Sequence, residues 1–180
     1  DPAKAQAIRQ GIVPFYEPGV EELLKKHISS GQLTVESSLP AIMDRANVLF
    51  MCVGTPEAED GSADISKLIE ISATIGEQLS KYTLIVEKST SPVTTAEQLK
   101  EIIAQHSSSG YEVISNCEFD VAVNPEFLRE GRAMQDFLEP SRIVLGVENN
   151  RASSLLSRVY KPLFDRLGTD QNSSMILTDT

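Results

Sequence analysis

Short apolar runs alternate along this chain with longer segments in which apolar residues recur at helical spacing. Three of the runs, Val48–Val53, Leu84–Val86 and Val121–Val123, are apolar throughout, as strands covered on both faces are. The segments between them space leucine and isoleucine three or four residues apart, which is typical of one face of a helix. The alternation predicts an α/β fold, a Rossmann-like mostly parallel sheet with helices on both faces.

Residue types at the ends of these segments predict further boundaries. Pro2 favours the first turn of a helix, the Asp64 carboxylate is suited to cap another, and Pro162 is expected to stop a third. The other predicted elements are helices beginning near Val20 and Thr94, a short helix over residues 39–46, and strands at Leu33–Val35, Arg142–Gly146 and Met175–Leu177.

The composition is that of a globular protein with enough residues for one sizeable core. The chain has 180 residues, 41% of them hydrophobic and 23% charged. Its net charge of -10 argues against nucleic acid or an anionic membrane as partner, because both select basic faces. No apolar run approaches the length of a membrane span and the start does not resemble a signal peptide, so a cytoplasmic protein is expected. The spacing of Cys52 and Cys117 suits neither a disulfide framework nor a metal site, and no metal is expected.

Polar side chains follow two of the apolar runs directly, in Glu87–Thr90 and Asn124–Gly131. Ligands of open parallel sheets bind beyond the carboxyl ends of the strands, so these segments are candidate site residues. Glu126 and Glu130 are four apart after Pro125, and a turn of helix would place both carboxylates on one face. Such a carboxylate can act as a general base or bind sugar hydroxyls; alternatively, Glu126 stabilises the start of its own helix and Glu130 is solvated.

Hydroxyl groups at the strand ends leave two interpretations open. Thr55 follows the turn at Gly54, and Ser89 and Thr90 follow the next run. Hydroxyls in these positions can bond a ribose, an amide or a water, and they can equally cap the backbone that follows. The residues alone do not decide between ligand contact and capping.

Six segments of the chain together carry a family pattern: Tyr16–Leu24, Cys52–Pro56, Asp60–Asp64, Glu87–Thr90, Asn124–Gly131 and Asp136–Gly146. In their order and spacing they resemble the UDP-glucose/GDP-mannose dehydrogenase family, NAD-dependent enzymes that oxidise the primary alcohol of a nucleotide sugar to a carboxylate. Asn124, Phe127 and Gly131, followed by Pro140–Arg142, are more similar to the UDP-glucose branch than to the GDP-mannose or N-acetylated-sugar branches.

The resemblance implies roles for matching positions. Thr90 corresponds to a hydroxyl that contacts the cofactor and helps to hold the catalytic water, and Glu126 to the general base. Lys4 and Thr55 match positions that touch NAD, and Glu130 matches one near the nicotinamide. The substrate loop that wraps the sugar corresponds to Glu126, Phe127, Leu128, Arg129 and Glu130.

The family reaction transfers two hydrides to two NAD molecules in turn, through a cysteine thiohemiacetal and a thioester that water hydrolyses. The Gly-rich pyrophosphate turn, the acidic residue for the adenosine ribose, the central-helix Lys and Asn, and the UDP-binding domain have no match in this sequence. Neither Cys52 nor Cys117 matches the nucleophile. We therefore expect residues 1–180 to be a partial NAD-binding domain without its first βα unit, from a longer homo-oligomeric enzyme, and to be inactive alone.

Two alternative functions stay open. The first is a dehydrogenase with another substrate, such as GDP-mannose, a UDP-N-acetyl sugar, 6-phosphogluconate or a hydroxyacyl compound. The second is a non-catalytic fragment that associates with a partner through exposed apolar surface.

Overall fold

The computed structural model describes residues 1–107, 119–168 and 175–178. Within these residues, five strands form one sheet, and the predicted α/β class is confirmed. The strands are β1 Val48–Met51, β2 Thr83–Glu87, β3 Phe119–Val123, β4 Ile143–Gly146 and β5 Met175–Thr178. The helices are α1 Pro2–Arg9, α2 Val20–Ser29, α3 Pro40–Met43, α4 Ser66–Gln78, α5 Thr95–Ser107, α6 Ala133–Leu138 and α7 Asn150–Leu167. No helix of the described segments has the length and apolar character needed to cross a membrane.

The chain divides into two compact units. One, the small unit, consists of Asp1–Ile42 and Phe127–Ser141 and contains α1, α2 and α6. The other, the sheet unit, consists of Met43–Glu126 and Arg142–Thr180 and contains all five described strands with α4, α5 and α7. Residues 108–118, which include Cys117, lie outside the described residues.

The sheet is mostly parallel, as predicted. Strands β1 and β3 flank β2 in parallel, with Met51 opposite Glu87 and Glu87 opposite Val123. Strand β4 is antiparallel to β3, with Gly146 opposite Val123, and β5 is parallel to β4. The carboxyl ends of β1, β2 and β3 therefore share one edge of the sheet, called here the carboxyl edge.

The core of the sheet unit lies around β2. All five residues of β2 are buried, including Leu84, Ile85 and Val86 with no exposed surface. This burial explains the continuous apolar run in the sequence, because a central strand has no face in water. The helices contribute the apolar side chains that recur at helical spacing, and those of α4 and α5 with at most 1% exposure are Leu68, Ile75, Leu99 and Ile103.

The predicted helix starts agree with the capping geometry. Asp64 Oδ1 accepts a hydrogen bond from the Ser66 backbone N–H at 2.9 Å, as its position before α4 suggested. Asp1 Oδ1 accepts from the Ala3 N–H at 2.9 Å, and Pro2 occupies the first turn of α1.

The predicted strand at Leu33–Val35 and the predicted stop at Pro162 are wrong. Leu33–Val35 is not a strand: Leu33 N–H donates to the His27 carbonyl and the Val35 carbonyl accepts from Arg9 Nε, so these groups bond within the small unit rather than to a neighbouring strand. Pro162 does not stop α7, which continues to Leu167. Leu163 and Phe164, directly after Pro162, are 8% and 1% exposed, and their burial offsets the lost backbone hydrogen bond.

Helices α4 and α5 pack closely where α4 carries a glycine. A Cβ built on Gly76 would lie 2.6 Å from the Ile103 carbonyl oxygen and 2.8 Å from His106 Cβ. The Ile103 oxygen belongs to helical backbone, which cannot move without disturbing α5. Glycine at this position therefore permits the approach of the two helices, at a cost in helix propensity.

We expect Gly76→Ala to destabilise the chain by about 1–3 kcal/mol in urea unfolding, because the added methyl group overpacks a backbone contact. In an exposed helix the same substitution would stabilise by about 1 kcal/mol. Glu77→Ala, at the exposed neighbouring position, is the control and should change the free energy of unfolding little. An increase in stability with Gly76→Ala would contradict the close approach.

Candidate active site

Hydrogen bonds join the loops after β1 and β2 at the carboxyl edge. Ser89 Oγ donates to the Val53 carbonyl at 2.7 Å, and the Lys88 N–H donates to the Met51 carbonyl at 3.0 Å. Thr55 Oγ1 donates to the Thr90 carbonyl at 2.5 Å. The Ser89 and Thr55 hydroxyls therefore bond carbonyls of the neighbouring loop, and in neither case does this bond cap the segment that follows the hydroxyl. The bond from Thr55 holds the backbone of Thr90, whose side chain is exposed.

A buried carboxyl group lies at the end of β2. Glu87 is 2% exposed, and the Ser91 hydroxyl donates a hydrogen bond to it. Burial raises the pKa of Glu87 above its ordinary value, and the Ser91 hydrogen bond opposes that rise. Sequence reasoning did not assign Glu87 this structural role, although a glutamate that ends an apolar run was a signal for a buried carboxyl.

A buried amide holds the end of β3. The Asn124 N–H donates to the Glu87 carbonyl at 2.8 Å, which extends the pairing of β2 and β3 by one residue. Its side chain, in a residue 2% exposed, donates from Nδ2 to the Val144 carbonyl at 2.9 Å and accepts from the Tyr160 hydroxyl. Burial raises the pKa of Tyr160 to about 12, so its hydroxyl stays protonated as a donor. Asn124 thus connects β3, β4 and α7 immediately before Pro125.

Glu126 is exposed at this edge, near the thiol of Cys52. Partial burial raises the pKa of Cys52, the nearby Lys88 lowers it, and Glu126 raises it. Cys52 still presents part of its side chain to solvent. The raised pKa leaves this thiol mostly protonated near neutral pH, which makes it a poor nucleophile.

The predicted turn of helix carrying Glu126 and Glu130 is wrong. Residues 124–129 are not helical, and α6 begins only at Ala133. Gly131 has a φ of 77°, a left-handed conformation that interrupts a right-handed helical path between the two segments. The two carboxylates therefore do not share a helix face.

The structure brings Thr90 and Glu126 to one edge of one sheet. Thr90 lies three residues after Glu87, and Glu126 lies three residues after Val123. Glu87 and Val123 are opposite each other on adjacent parallel strands. The side chains of Thr90 and Glu126 are exposed. The space beside Gly54, in the loop after β1, is also open, since a Cβ built on this residue would meet no atom within 4 Å. A hydroxyl and a carboxylate thus face accessible space at the edge where open α/β sheets bind ligands.

The other candidate residues belong to the small unit. Lys4 is exposed on α1, and Glu130 is exposed before Gly131. Phe127 is 47% exposed and Leu128 is half-buried. None of these four side chains is buried in this unit, which leaves each of them accessible to a ligand.

The guanidinium of Arg129 is engaged by Asp136 of α6, in the same unit. Its Nε donates to Asp136 Oδ2 at 2.9 Å and its Nη2 to Oδ1 at 2.7 Å, and the Arg129 backbone N–H donates to Oδ2 at 3.1 Å. The hydrogen bond from Arg129 is the main reason that the pKa of Asp136 falls to about 2. The side chain of Arg129 therefore acts on the loop, which sequence reasoning did not anticipate.

An open depression of about 540 Å³ lies at the amino ends of β2 and β3, and its lining includes Tyr82, Asp120 and Arg151. The Tyr82 hydroxyl donates to Asp120 Oδ2 at 2.7 Å, and the Arg151 guanidinium stacks on the Tyr82 ring. Ligands of such sheets bind at the opposite ends of the strands, so the carboxyl edge is the better candidate site.

Comparison with known proteins identifies a family pattern over nearly the whole chain. Residues 1–164 match the model of the "UDP-glucose/GDP-mannose dehydrogenase family, NAD binding domain". The UDP-glucose 6-dehydrogenase of Pseudomonas aeruginosa is 39% identical over 164 residues, which are 90% of this chain and 35% of that protein. The chain spans about a third of the length of the curated relatives it matches.

Solved structures agree with this match. A UDP-glucose dehydrogenase from Pyrobaculum islandicum has a TM-score of 0.87 and 34% identity, covering 99% of this chain and 39% of that one. A GDP-mannose dehydrogenase from Pseudomonas aeruginosa, in a ternary complex, has a TM-score of 0.87 and 27% identity, with the same coverage.

The buried carboxyl of Glu87 predicts a pH-dependent stability. Because its folded pKa is raised, the native state binds a proton more tightly than the unfolded chain does. The associated stability is complete below the unfolded pKa and is lost as pH rises through the folded pKa. Glu87→Gln keeps an oxygen that can accept from Ser91 and removes the titration.

We therefore expect Glu87→Gln to become more stable relative to the unmodified chain as pH rises from 4 to 7, measured by urea unfolding at each pH. Glu97→Gln removes an exposed carboxylate from the same unit and serves as the control. A constant difference between Glu87→Gln and the unmodified chain across this range would contradict the raised pKa.

Proposed function

This chain belongs to the UDP-glucose/GDP-mannose dehydrogenase family, and from that premise we propose that its protein is an NAD-dependent UDP-glucose 6-dehydrogenase. The reaction would convert UDP-glucose to UDP-glucuronate. The proposal rests on one observation: Thr90 follows β2 and Glu126 follows β3, and these two strands pair in parallel and end at the same carboxyl edge. A hydroxyl and a carboxylate there are the groups needed to hold and deprotonate a water molecule.

The sheet unit offers groups that suit part of the cofactor, because the exposed Thr90 hydroxyl and the turn at Gly54 and Thr55 lie beside open space. Lys4 is proposed to contact NAD because its position matches one that touches NAD in the family. When bound, NAD supplies a hydride acceptor, and oxidation of an alcohol to an acid needs two hydride transfers in succession. None of the ten glycines is arranged as Gly-x-Gly, so the pyrophosphate turn is proposed to come from residues outside these 180.

Glu126 is proposed as the general base of the hydrolytic step. A thioester between the enzyme and the oxidised sugar would react with water to give the free carboxylic acid and the cysteine thiol. Glu126 takes the proton from the attacking water, and the Thr90 hydroxyl orients that water. The raised pKa of Cys52 argues against this thiol as the nucleophile, which is assigned to residues outside the chain.

The substrate loop, Glu126 to Glu130, is proposed to bind the sugar. Glu126 and Glu130 are exposed acceptors for sugar hydroxyls, and exposed Phe127 offers an apolar surface to the ring. Leu128, which follows Phe127 in the loop, is proposed to contact the sugar as well. Arg129 is proposed to belong to this loop, where its guanidinium and its backbone N–H both bond Asp136 and its side chain stays 64% exposed. Glu130 would also lie near the nicotinamide.

The rest of the assignment is proposed at the level of the intact protein. Its proposed substrate is UDP-glucose or a related nucleotide sugar, and its proposed protein partner is a second copy of itself. Neither nucleic acid nor a membrane is proposed as a partner. The proposed location is the cytoplasm. Residues 1–180 would form part of its NAD-binding domain and be inactive alone. In support, the matched part of the chain corresponds to 34% and 35% of the length of two curated relatives.

A second candidate is a dehydrogenase of GDP-mannose or of a UDP-N-acetyl sugar. The GDP-mannose dehydrogenase structure has the same TM-score, 0.87, as the UDP-glucose dehydrogenase structure, so the backbone does not separate the two substrates. The identity of 34% against 27% favours UDP-glucose. Rates of NADH formation by the intact protein with each nucleotide sugar would decide between them.

In the intact protein, we expect Glu126→Gln to lower kcat with UDP-glucose by about 10²–10⁴-fold, because the amide cannot accept a proton from water. Binding of NAD should change little. Glu97→Gln, an exposed carboxylate on α5, is the matched control and should leave kcat unchanged. Full activity of Glu126→Gln would remove Glu126 from the chemistry. Steady turnover by residues 1–180 alone would contradict the proposal that these residues are inactive without the rest of the protein.

A further inference from the structure

The segment Glu17–Gly19 belongs to a sequence motif that the proposed chemistry does not use. It contacts the start of α6, more than a hundred residues away in sequence, within the small unit. Glu17 Oε1 accepts a hydrogen bond from the Met134 backbone N–H at 3.1 Å. The residue that precedes α6, Arg132, makes no side-chain capping bond. Glu17 therefore satisfies a donor of the first turn that the local sequence leaves open.

Gly19 provides a second contact with the same residue. Its φ is 82°, a conformation that favours glycine, and a Cβ at this position would lie 2.5 Å from Met134 Cε. The Met134 side chain thus packs against a position without a side chain, while the Met134 backbone is held by Glu17. The backbone and the side chain of Met134 thus both contact the segment Glu17–Gly19, and the bond to Glu17 holds the start of α6.

Helix α6 in turn holds the substrate loop. Asp136, two residues after Met134, accepts hydrogen bonds from the guanidinium and from the backbone N–H of Arg129. The side chain of Asp136 is only 14% exposed, which restricts its movement. The contacts therefore run from Glu17 to Met134, along α6 to Asp136, and from Asp136 to the backbone of Arg129.

We propose that Glu17 is a positioning residue for the substrate loop, acting through α6 and Asp136. The proposal rests on the proposed function, because it assigns the loop from Glu126 to Glu130 to the sugar. Glu17 is not proposed to touch a reacting atom. Its carboxylate sets the orientation of α6, and loss of that orientation would weaken binding of the sugar more than binding of NAD.

The test compares Glu17→Ala, Glu17→Gln and Glu17→Asp in the intact protein. Glu17→Ala should raise the KM for UDP-glucose about five- to ten-fold, the size expected for loss of one helix cap, with the KM for NAD unchanged. Glu17→Gln keeps an oxygen acceptor and should restore the KM, and Glu17→Asp should be intermediate. Glu22→Ala, an exposed carboxylate in the first turn of α2, is the control.

Hydrogen exchange of the Met134 amide gives a second readout that does not depend on activity. Exchange should be faster in Glu17→Ala and close to the unmodified rate in Glu17→Gln. An unchanged KM for UDP-glucose in Glu17→Ala would overturn the proposal, as would an equal rise in both KM values without rescue by glutamine. If the unmodified protein oxidises no nucleotide sugar, the proposed function fails, whereas the exchange rates still decide whether Glu17 caps α6.

Discussion

Parallel pairing of β2 with β3 is the constraint on which the candidate site depends. Glu87 lies opposite Val123, and the Asn124 N–H extends the pairing by donating to the Glu87 carbonyl. A shift of one residue in the register of β2 and β3 would turn every side chain of the shifted strand to the other face of the sheet. It would also move the point at which the chain leaves that strand. The complete burial of β2 makes such a shift costly, because its neighbours pack against particular side chains. The positions of Thr90 and Glu126 follow from this register.

The strands were predictable because burial leaves a direct mark on the sequence. The expected burial on both faces holds for β2, whereas in β1 Phe50 is 37% exposed. The apolar runs at Val48, Leu84 and Val121 identified three neighbouring strands, and the residues after them marked the carboxyl edge. The partners of the site residues were not predictable in the same way. Contacts such as Glu17 with Met134 join residues that are distant in sequence, and neither residue shows locally that it bonds the other.

The errors came from arguments based on local sequence alone, and tertiary contacts overrode two of the three predictions. Pro162 removes one hydrogen bond from α7, but the burial of Leu163 and Phe164 retains the helix. Leu33–Val35 has the composition of a strand, but its backbone groups bond to a helix end and to an arginine. Spacing alone placed Glu126 and Glu130 on one helix face, and the left-handed Gly131 separates the loop from α6.

Two buried polar side chains, Glu87 and Asn124, stand at the carboxyl edge, where apolar residues would be less costly to bury. Each is compensated: Ser91 bonds the carboxyl, and Val144 and Tyr160 bond the amide. These bonds are directional, so they restrict the backbone at the carboxyl ends of β2 and β3 more than apolar packing would. The proposed site would hold a water between a hydroxyl and a carboxylate, and it would need fixed strand ends, because small displacements of catalytic groups reduce rates strongly. In this proposal, the cost of burying Glu87 and Asn124 is the cost of positioning Thr90 and Glu126.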